Sequence, residues 1–444
     1  VWVGNDEDEF FDGGAGGDDL SGAGGRDVFV GGAGNDTIDG GSSTDDDGRQ
    51  DVDAVVYALE GGSNGVTVNL GTNSATDSFG NTDVLTNIEA VAGTEFADEL
   101  IGDANDNIFA GGDGADLING GDGEDEVDFS FLGNDSMGVD VDLANDTAVD
   151  SWGNTDTLQN IENVFGSNLD DTISGDGEDN VLAGGGGNAS LFGDGGDNYF
   201  IPSSGGGELD TVNGGEGQDT LRFFASYLDE DLGFTISPTG NATITNGTDT
   251  VIVIGVEVLE LDDASLGLEI GTEGADTLSG GSIGAVLLGL GGDDSLTGTG
   301  DTDALFGGAG NDTLSAGAGD DLVSGGDDND LIIVGTGAGN DLFDGGDGVD
   351  TLRVDTREFA DGAFIYNLDL ISGFSGALGS TVGADKGSLS TPARRAPAER
   401  PARSIAPVSK DDTPAGIGRH GPAPGSRAPW AGKTRDASIA VPPR

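Results

Sequence analysis

The chain has 444 residues, of which 85 are Gly, 83 Asp or Glu, 16 Lys or Arg and none Cys, giving a formal net charge of −67. So acidic a balance excludes binding to nucleic-acid phosphates. The absence of Cys excludes disulfides and thiol catalysis, and no run of about 18 apolar residues offers a membrane-spanning helix. The charge is uneven: residues 1–385 carry 79 acidic and 5 basic side chains, net −74, whereas residues 386–444 carry 4 and 11, net +7.

The chain opens at Val1 in mid-repeat, with neither a basic nor an apolar leader segment. Its first nine-residue unit, 4–12, is weathered, and we read the sequence as a piece of a longer protein. Units 13–21, 22–30 and 31–39 then repeat one pattern: Gly first, Asp sixth (Asp18, Asp27, Asp36) and an apolar residue eighth (Leu20, Phe29, Ile38). This first block is bounded at 4–48 by an acidic loop, Asp45 to Asp47. Residues 49–92 form a β spacer, in which Val52, Ala54 and Val56, then Val66, Val68 and Leu70, alternate around GGSNG as a strand, turn and strand. The passage recurs 73 residues on: Gly65–Asp103 aligns with Gly138–Asp176 at 20 of 39 positions.

A second block, 93–128, carries Asp98, Asp116 and Asp125, with Asn107 in one sixth place. After the duplicate spacer, 129–165, a degenerate block at 166–222 carries Asp171, then Asn180, Ala189 and Asn198, then Asp210 and Asp219. Residues 223–270 are the least repetitive interior stretch. TVIVIGVEVLEL at 250–261 is rich in β-branched residues and reads as strands, either a further spacer or a small sandwich-like insert. The fourth block, 271–353, carries Asp276, Asp294, Asp303, Asp312, Asp321, Asp330, Asp341 and Asp350. Val334 and Gly335 are extra residues there, expected to shift Asp341 and Asp350 out of an eighteen-residue ladder. A transition segment, 354–385, leads to a Pro/Ala/Arg-rich tail at 386–444, whose composition predicts disorder or a basic arm.

A nine-residue period is how a stacked solenoid is written. Each unit supplies one tight Gly turn and one very short strand, which makes half a coil. Residues eighteen apart therefore stack, with Asp294 over Asp312, Asp303 over Asp321 and Asp312 over Asp330. Stacked carboxylates repel unless a hard cation lies between them, and Ca²⁺ accepts several oxygen ligands, turn carbonyls included. Ala189 supplies no carboxylate, so calcium is expected to be weak or missing between Asp171 and Ala189.

Units such as GGAGNDTLS at 307–315 closely resemble the RTX, or haemolysin-type, calcium-binding repeat, with consensus G-G-x-G-x-D-x-U-x. The resemblance implies an all-β, right-handed parallel β-roll with Ca²⁺ between successive turns, the sixth-place Asp and turn carbonyls as ligands. It further implies export by type I secretion machinery and folding outside the bacterial cell.

Other chemistry finds little support. G-x-S-x-G occurs around Ser63 and Ser282, but the only His is His420 in the tail, and a nucleophile elbow needs a His base. No catalytic constellation is expected. Three functions are compatible with the sequence: a calcium-responsive module of a secreted toxin or hydrolase, an extended adhesin or surface-layer stalk that could meet cell-surface glycans, and a polysaccharide-modifying module.

Overall fold

The computed structural model describes residues 1–41, 51–132, 136–203, 208–224, 233–236, 242–246, 249–262, 265–281, 283–334, 341–354 and 369–370. The acidic loop at 45–47, Ser282, Gly335, most of the transition segment and the whole tail, with His420, lie outside them.

The described residues form an all-β solenoid of short, mostly three- to six-residue strands, with three single-turn 3-10 segments and no α-helix. Strands are short because each unit spends most of its nine residues on the turn. Pairing is parallel and its offset is eighteen residues: Leu20 lies beside Ile38, Leu296 beside Leu314, and Leu305 beside Val323. Successive units go to opposite sheets, so Leu20 and Phe29, nine apart, belong to different ones. This is the parallel β-roll that the nine-residue period requires.

One sheet is an open ladder of seventeen strands from Phe10–Asp12 through Ala90–Ala92 and Thr220–Arg222 to Asp369–Leu370. The opposite face is built from two sheets. Seventeen strands run from Trp2–Val3 to Gly233–Ile236, and five more from Thr277–Ser279 to Thr351–Val354. The eighth-place side chains meet between the faces. Leu20, Ile38, Leu100, Ile118 and Leu191 from one side, and Phe29, Phe109, Leu182, Phe200 and Leu221 from the other, are wholly buried in one cluster.

The spacers do not interrupt this architecture. The two strands read around GGSNG do form, but they are not a hairpin. Ala54–Val56 lies between Val28–Val30 and Ala90–Ala92, whereas Thr67–Asn69 sits in the opposite sheet. All three residues of Ala54–Val56 are buried. Val55 faces the core, while Val56 joins Val28, Val30, Ala92 and Ala110 in an outer cluster backed by Leu59, Phe131 and Leu132.

Each spacer adds an antiparallel meander inside the roll. Thr82–Thr86 pairs in parallel with Thr37–Gly41, then Ser74–Thr76 and Thr67–Asn69 follow antiparallel, and Glu99–Ile101 resumes the parallel ladder. The second copy repeats this with Thr155–Gln159, Thr147–Val149 and Asp140–Asp142. In the 223–270 insert, Thr250–Ile254, Ala242–Thr245 and Gly233–Ile236 enter the same sheet as a meander, but among the described residues Gly233–Ile236 ends that sheet and does not resume the parallel ladder.

Leu305 is fully buried among Leu287, Leu296, Leu314 and Val323, whereas Val84 is exposed. Leu305→Ala should cost about 2–5 kcal/mol and Val84→Ala under about 0.5 kcal/mol, both read from urea midpoints in excess calcium. Equal costs would contradict an inward eighth place.

Candidate metal centre

Unit 307–315 shows how the sequence builds a turn. Gly308 and Gly310 have φ of 107° and 124°, and a methyl on Gly308 would lie 2.2 Å from the Leu290 carbonyl oxygen of the coil before. Gly307 has no positive φ, but a β-carbon there would lie 2.5 Å from the Gly325 carbonyl oxygen of the next coil. Its missing side chain leaves room for Asp312, whose Oδ2 lies 2.3 Å from where a β-carbon would be. The first-place Gly thus makes room for both the sixth-place carboxylate and the adjacent coil's carbonyl.

Asp312 then joins neighbouring coils. Its Oδ1 accepts the Asp294 N–H at 2.8 Å, and its own N–H donates to Asp330 Oδ1 at 2.9 Å. The ladder runs from Asp276 through Asp294, Asp312 and Asp330 to Asp350 on one side, and from Asp303 through Asp321 to Asp341 on the other. Asp341 and Asp350 stand twenty residues from their partners, yet they remain in line. Strand pairing, which includes Val334 beside Val354, keeps the carboxylates in register.

Earlier blocks follow the same rule. Asp36 accepts from Asp18, Asp116 from Asp98, Asp125 from Asn107 and Asp219 from Asn198. Asp27 accepts from Glu9, and Asp98 and Asp171 accept from Val66 and Val139 of the spacers. Ala189 offers only its N–H, which Asp210 accepts.

The rows also run through residues that the repeat pattern misses. Asp53 accepts from Asp27, Asp83 from Asp36, Asp156 from Asp116, Glu89 from Asp53, Glu162 from Asp125 and Glu257 from Asp219. A usable signal was present: each is an acidic residue two places before a buried apolar strand residue (Val55, Leu85, Leu158, Val91, Val164, Leu259). The flanking Gly turn that made the other sites legible is lost or interrupted there.

These carboxylates are buried and short of donors. The second oxygen of Asp18, Asp27, Asp36, Asp53, Asp116, Asp125, Asp210, Asp219, Asp294, Asp312, Asp330 and Asp350 has no hydrogen-bond donor among the described residues. Burial raises the pKa values of those from Asp27 to Asp350, offset in part by the ladder N–H. Asp27 is pushed up to about 7, Asp116 to about 8, Asp312 to about 6 and Asp330 to about 7, with neighbouring carboxylates adding to the rise. Asp53 reaches about 8 for the same reason.

The donor set fits a hard cation: carboxylate and carbonyl oxygens, with no sulfur and no imidazole. Asn198 shows where such an ion would lie. Its side-chain N–H₂ donates to the carbonyls of Gly195 and Gly196 at 3.1 and 3.2 Å, so the turn carbonyls and the sixth-place side chain converge on one point. Among the described residues no three acidic side chains gather as a metal-binding group, so main-chain oxygens must complete each shell. Ser63 is no nucleophile elbow: its N–H donates to the Ser78 carbonyl in a loop, and no helix follows it.

The family described as the RTX calcium-binding nonapeptide repeat matches residues 4–46, 92–127, 165–200, 204–222, 270–282, 285–314, 306–338 and 333–355. No curated protein matches the chain. Among solved structures, the extracellular lipase LipA from Serratia marcescens is similar at 18% identity over 46% of this chain and 35% of that one, with a TM-score of 0.17. The chain thus spans about a third of that protein, and so low a score carries no argument. No helix among the described residues is long and apolar enough to cross a membrane.

Carboxylates whose folded pKa lies above the ordinary value stabilise the metal-free fold at low pH and cease to do so as pH rises through the folded value. In chelator, the melting temperature should therefore fall between about pH 5 and 8, the window set by Asp27, Asp116, Asp312 and Asp330. In calcium the trend should reverse, because ligands must be ionised. Thermal melts across that range would check it; a chelator profile that rises with pH contradicts the burial argument.

Proposed function

We propose, for a chain that belongs to the RTX calcium-binding nonapeptide repeat family, the function of a folding module that assembles on extracellular calcium as part of a type I-exported bacterial protein. The observation that carries this reading is the set of buried carboxylate oxygens without donors. Held ionised, they oppose the fold in which they stack. Asp116, Asp125, Asp294, Asp312, Asp330 and Asp350, with the carbonyls of their Gly turns, are the residues that would hold calcium in blocks two and four. Asp18, Asp27, Asp36, Asp210 and Asp219 would do so in the others. Bound calcium supplies the positive charge that both rows lack. The chain's own part is to place two carboxylates and a set of carbonyls around one point, which only the stacked coil achieves.

The requirement suits a molecule that must stay unfolded where calcium is scarce and fold where it is about millimolar, a concentration matched to sites of roughly 10⁻⁴–10⁻³ M. No catalytic role is assigned to the repeats. A second reading, an extended stalk, is favoured by the strand ladder that passes unbroken through both spacers.

At about pH 8, where the metal-free fold has lost its protonated carboxylates, far-UV circular dichroism of the full chain should change from disordered to β as calcium rises to millimolar levels, and not with equal magnesium. A β signal already complete in chelator would defeat the folding-module reading in favour of the stalk. Asp312 faces both Asp294 and Asp330, so Asp312→Ala should lower the bound calcium by two ions, counted by equilibrium dialysis. An unchanged count would remove the ladder as the metal site.

A further inference from the structure

The residue in the second place sorts the turns into two kinds. In open turns it is Gly, or singly Ala23, Asp194 or Leu290, with φ between 64° and 123°. The sixth-place Oδ2 of Asp36, Asp116, Asp125, Asp312 and Asp330 then has no donor among the described residues. In four other turns the second place is Thr94, Ser167, Thr272 or Thr299, and none of these has positive φ.

Those four turns are closed by their own hydrogen bonds. The N–H of Thr94, Ser167, Thr272 and Thr299 donates to Oδ2 of Asp98, Asp171, Asp276 and Asp303 at 2.6, 2.8, 2.6 and 2.7 Å. Each hydroxyl also donates to the same carboxylate, at 3.0, 2.7, 2.8 and 3.2 Å. It accepts in turn the fourth-place N–H, from Phe96, Leu169, Gly274 and Asp301, at 3.1 to 3.2 Å. The hydroxyl thus ties the turn to the carboxylate, as such short side chains do in local turn motifs.

The four positions share a second property. Asp98, Asp171 and Asp303 accept their ladder N–H from Val66, Val139 and Ala285, neighbours without a carboxylate. Asp276 immediately precedes Thr277–Ser279, the first strand of its sheet. Each is therefore the first carboxylate of a row after a break, where a cation would find one Asp in place of two. Gly93, Gly166 and Gly271, which open three of these turns, directly follow the two spacers and the insert.

We propose that Thr94, Ser167, Thr272 and Thr299 stand in for calcium, so that Asp98, Asp171, Asp276 and Asp303 form metal-free rungs on which each new row begins. The second-place residue is then the switch that decides whether a unit takes calcium. Units with Asp103 or Asp176 second and Asn107 or Asn180 sixth use the same closure, the second-place N–H donating to the Asn oxygen at 2.8 and 3.0 Å. Asp210, which accepts from Ala189 yet has a free oxygen, is the exception, and its turn lies partly outside the described residues.

The inference rests on the calcium reading above, and one comparison separates the two. Calcium bound to the full chain is counted by equilibrium dialysis for D98N/D171N/D276N and for D116N/D312N. Asn already occupies the sixth place at Asn107, Asn180 and Asn198, so both variants keep a residue that the fold accepts, and circular dichroism in excess calcium checks it. The expected result is an unchanged count in the first variant and a lowered count in the second. Equal losses in both would overturn metal-free rungs while leaving the calcium reading intact. No loss in either would overturn both. In addition, T94V/S167A/T272V/T299V should need several-fold more calcium to fold; an unchanged midpoint would overturn the role of the hydroxyls.

Discussion

Like charges stacked at strand spacing are the constraint on which the rest of this structure depends. Adjacent coils stand about 4.8 Å apart, where two ionised carboxylates repel by roughly 3 kcal/mol at an effective dielectric of 20. Against that, one unit offers a buried aliphatic side chain, about 2 kcal/mol, and a ladder hydrogen bond, about 1 kcal/mol net. Repulsion and gain are of the same size, so the protonation or metal state of the Asp row decides whether a coil is stable. Few folds place so much of the decision outside the apolar core.

The ladder explains the sequence conventions around it. A carboxylate that accepts the next coil's N–H lies against its own turn, and a small first-place residue, Gly in most units and Ala316 beside Asp321, leaves that space. Second- and fourth-place Gly answer a different need, a left-handed backbone beneath a carbonyl of the neighbouring coil. Where the second place is Ser or Thr the backbone relaxes to ordinary φ, and the hydroxyl supplies the donor that the open turn lacks. One side chain therefore trades backbone strain and free oxygens for local hydrogen bonds.

The spacers show how a solenoid tolerates insertion. An antiparallel meander of three strands enters on one parallel edge and leaves on another, so the roll grows by extra strands without losing its stacking. The opposite sheet passes the same region with single strands, and carboxylates at Asp53, Glu89 and Glu162 keep its row going. The 223–270 insert ends one sheet. Phe234 there lines a small, open apolar pocket of about 150 Å³ with Leu288, Leu290 and Phe306, and beyond it in the chain a new five-stranded sheet begins.

The nine-residue period alone determined the parallel roll, the inward row of Leu20, Phe29 and Ile38, the eighteen-residue stacking and the two Asp rows. It could do so because every contact in those features lies one coil away, at fixed separation along the chain. The tertiary structure decided what depends on contacts at other separations. Pairing over 26 to 47 residues brings Asp53 and Asp83 into the rows, and register holds Asp341 and Asp350 in line despite two extra residues. It also sends Ala54–Val56 and Thr67–Asn69 to opposite sheets. The difference between open and closed turns was written in the second place of each unit, but its meaning is a backbone angle and a hydrogen bond, and only the folded chain displays those.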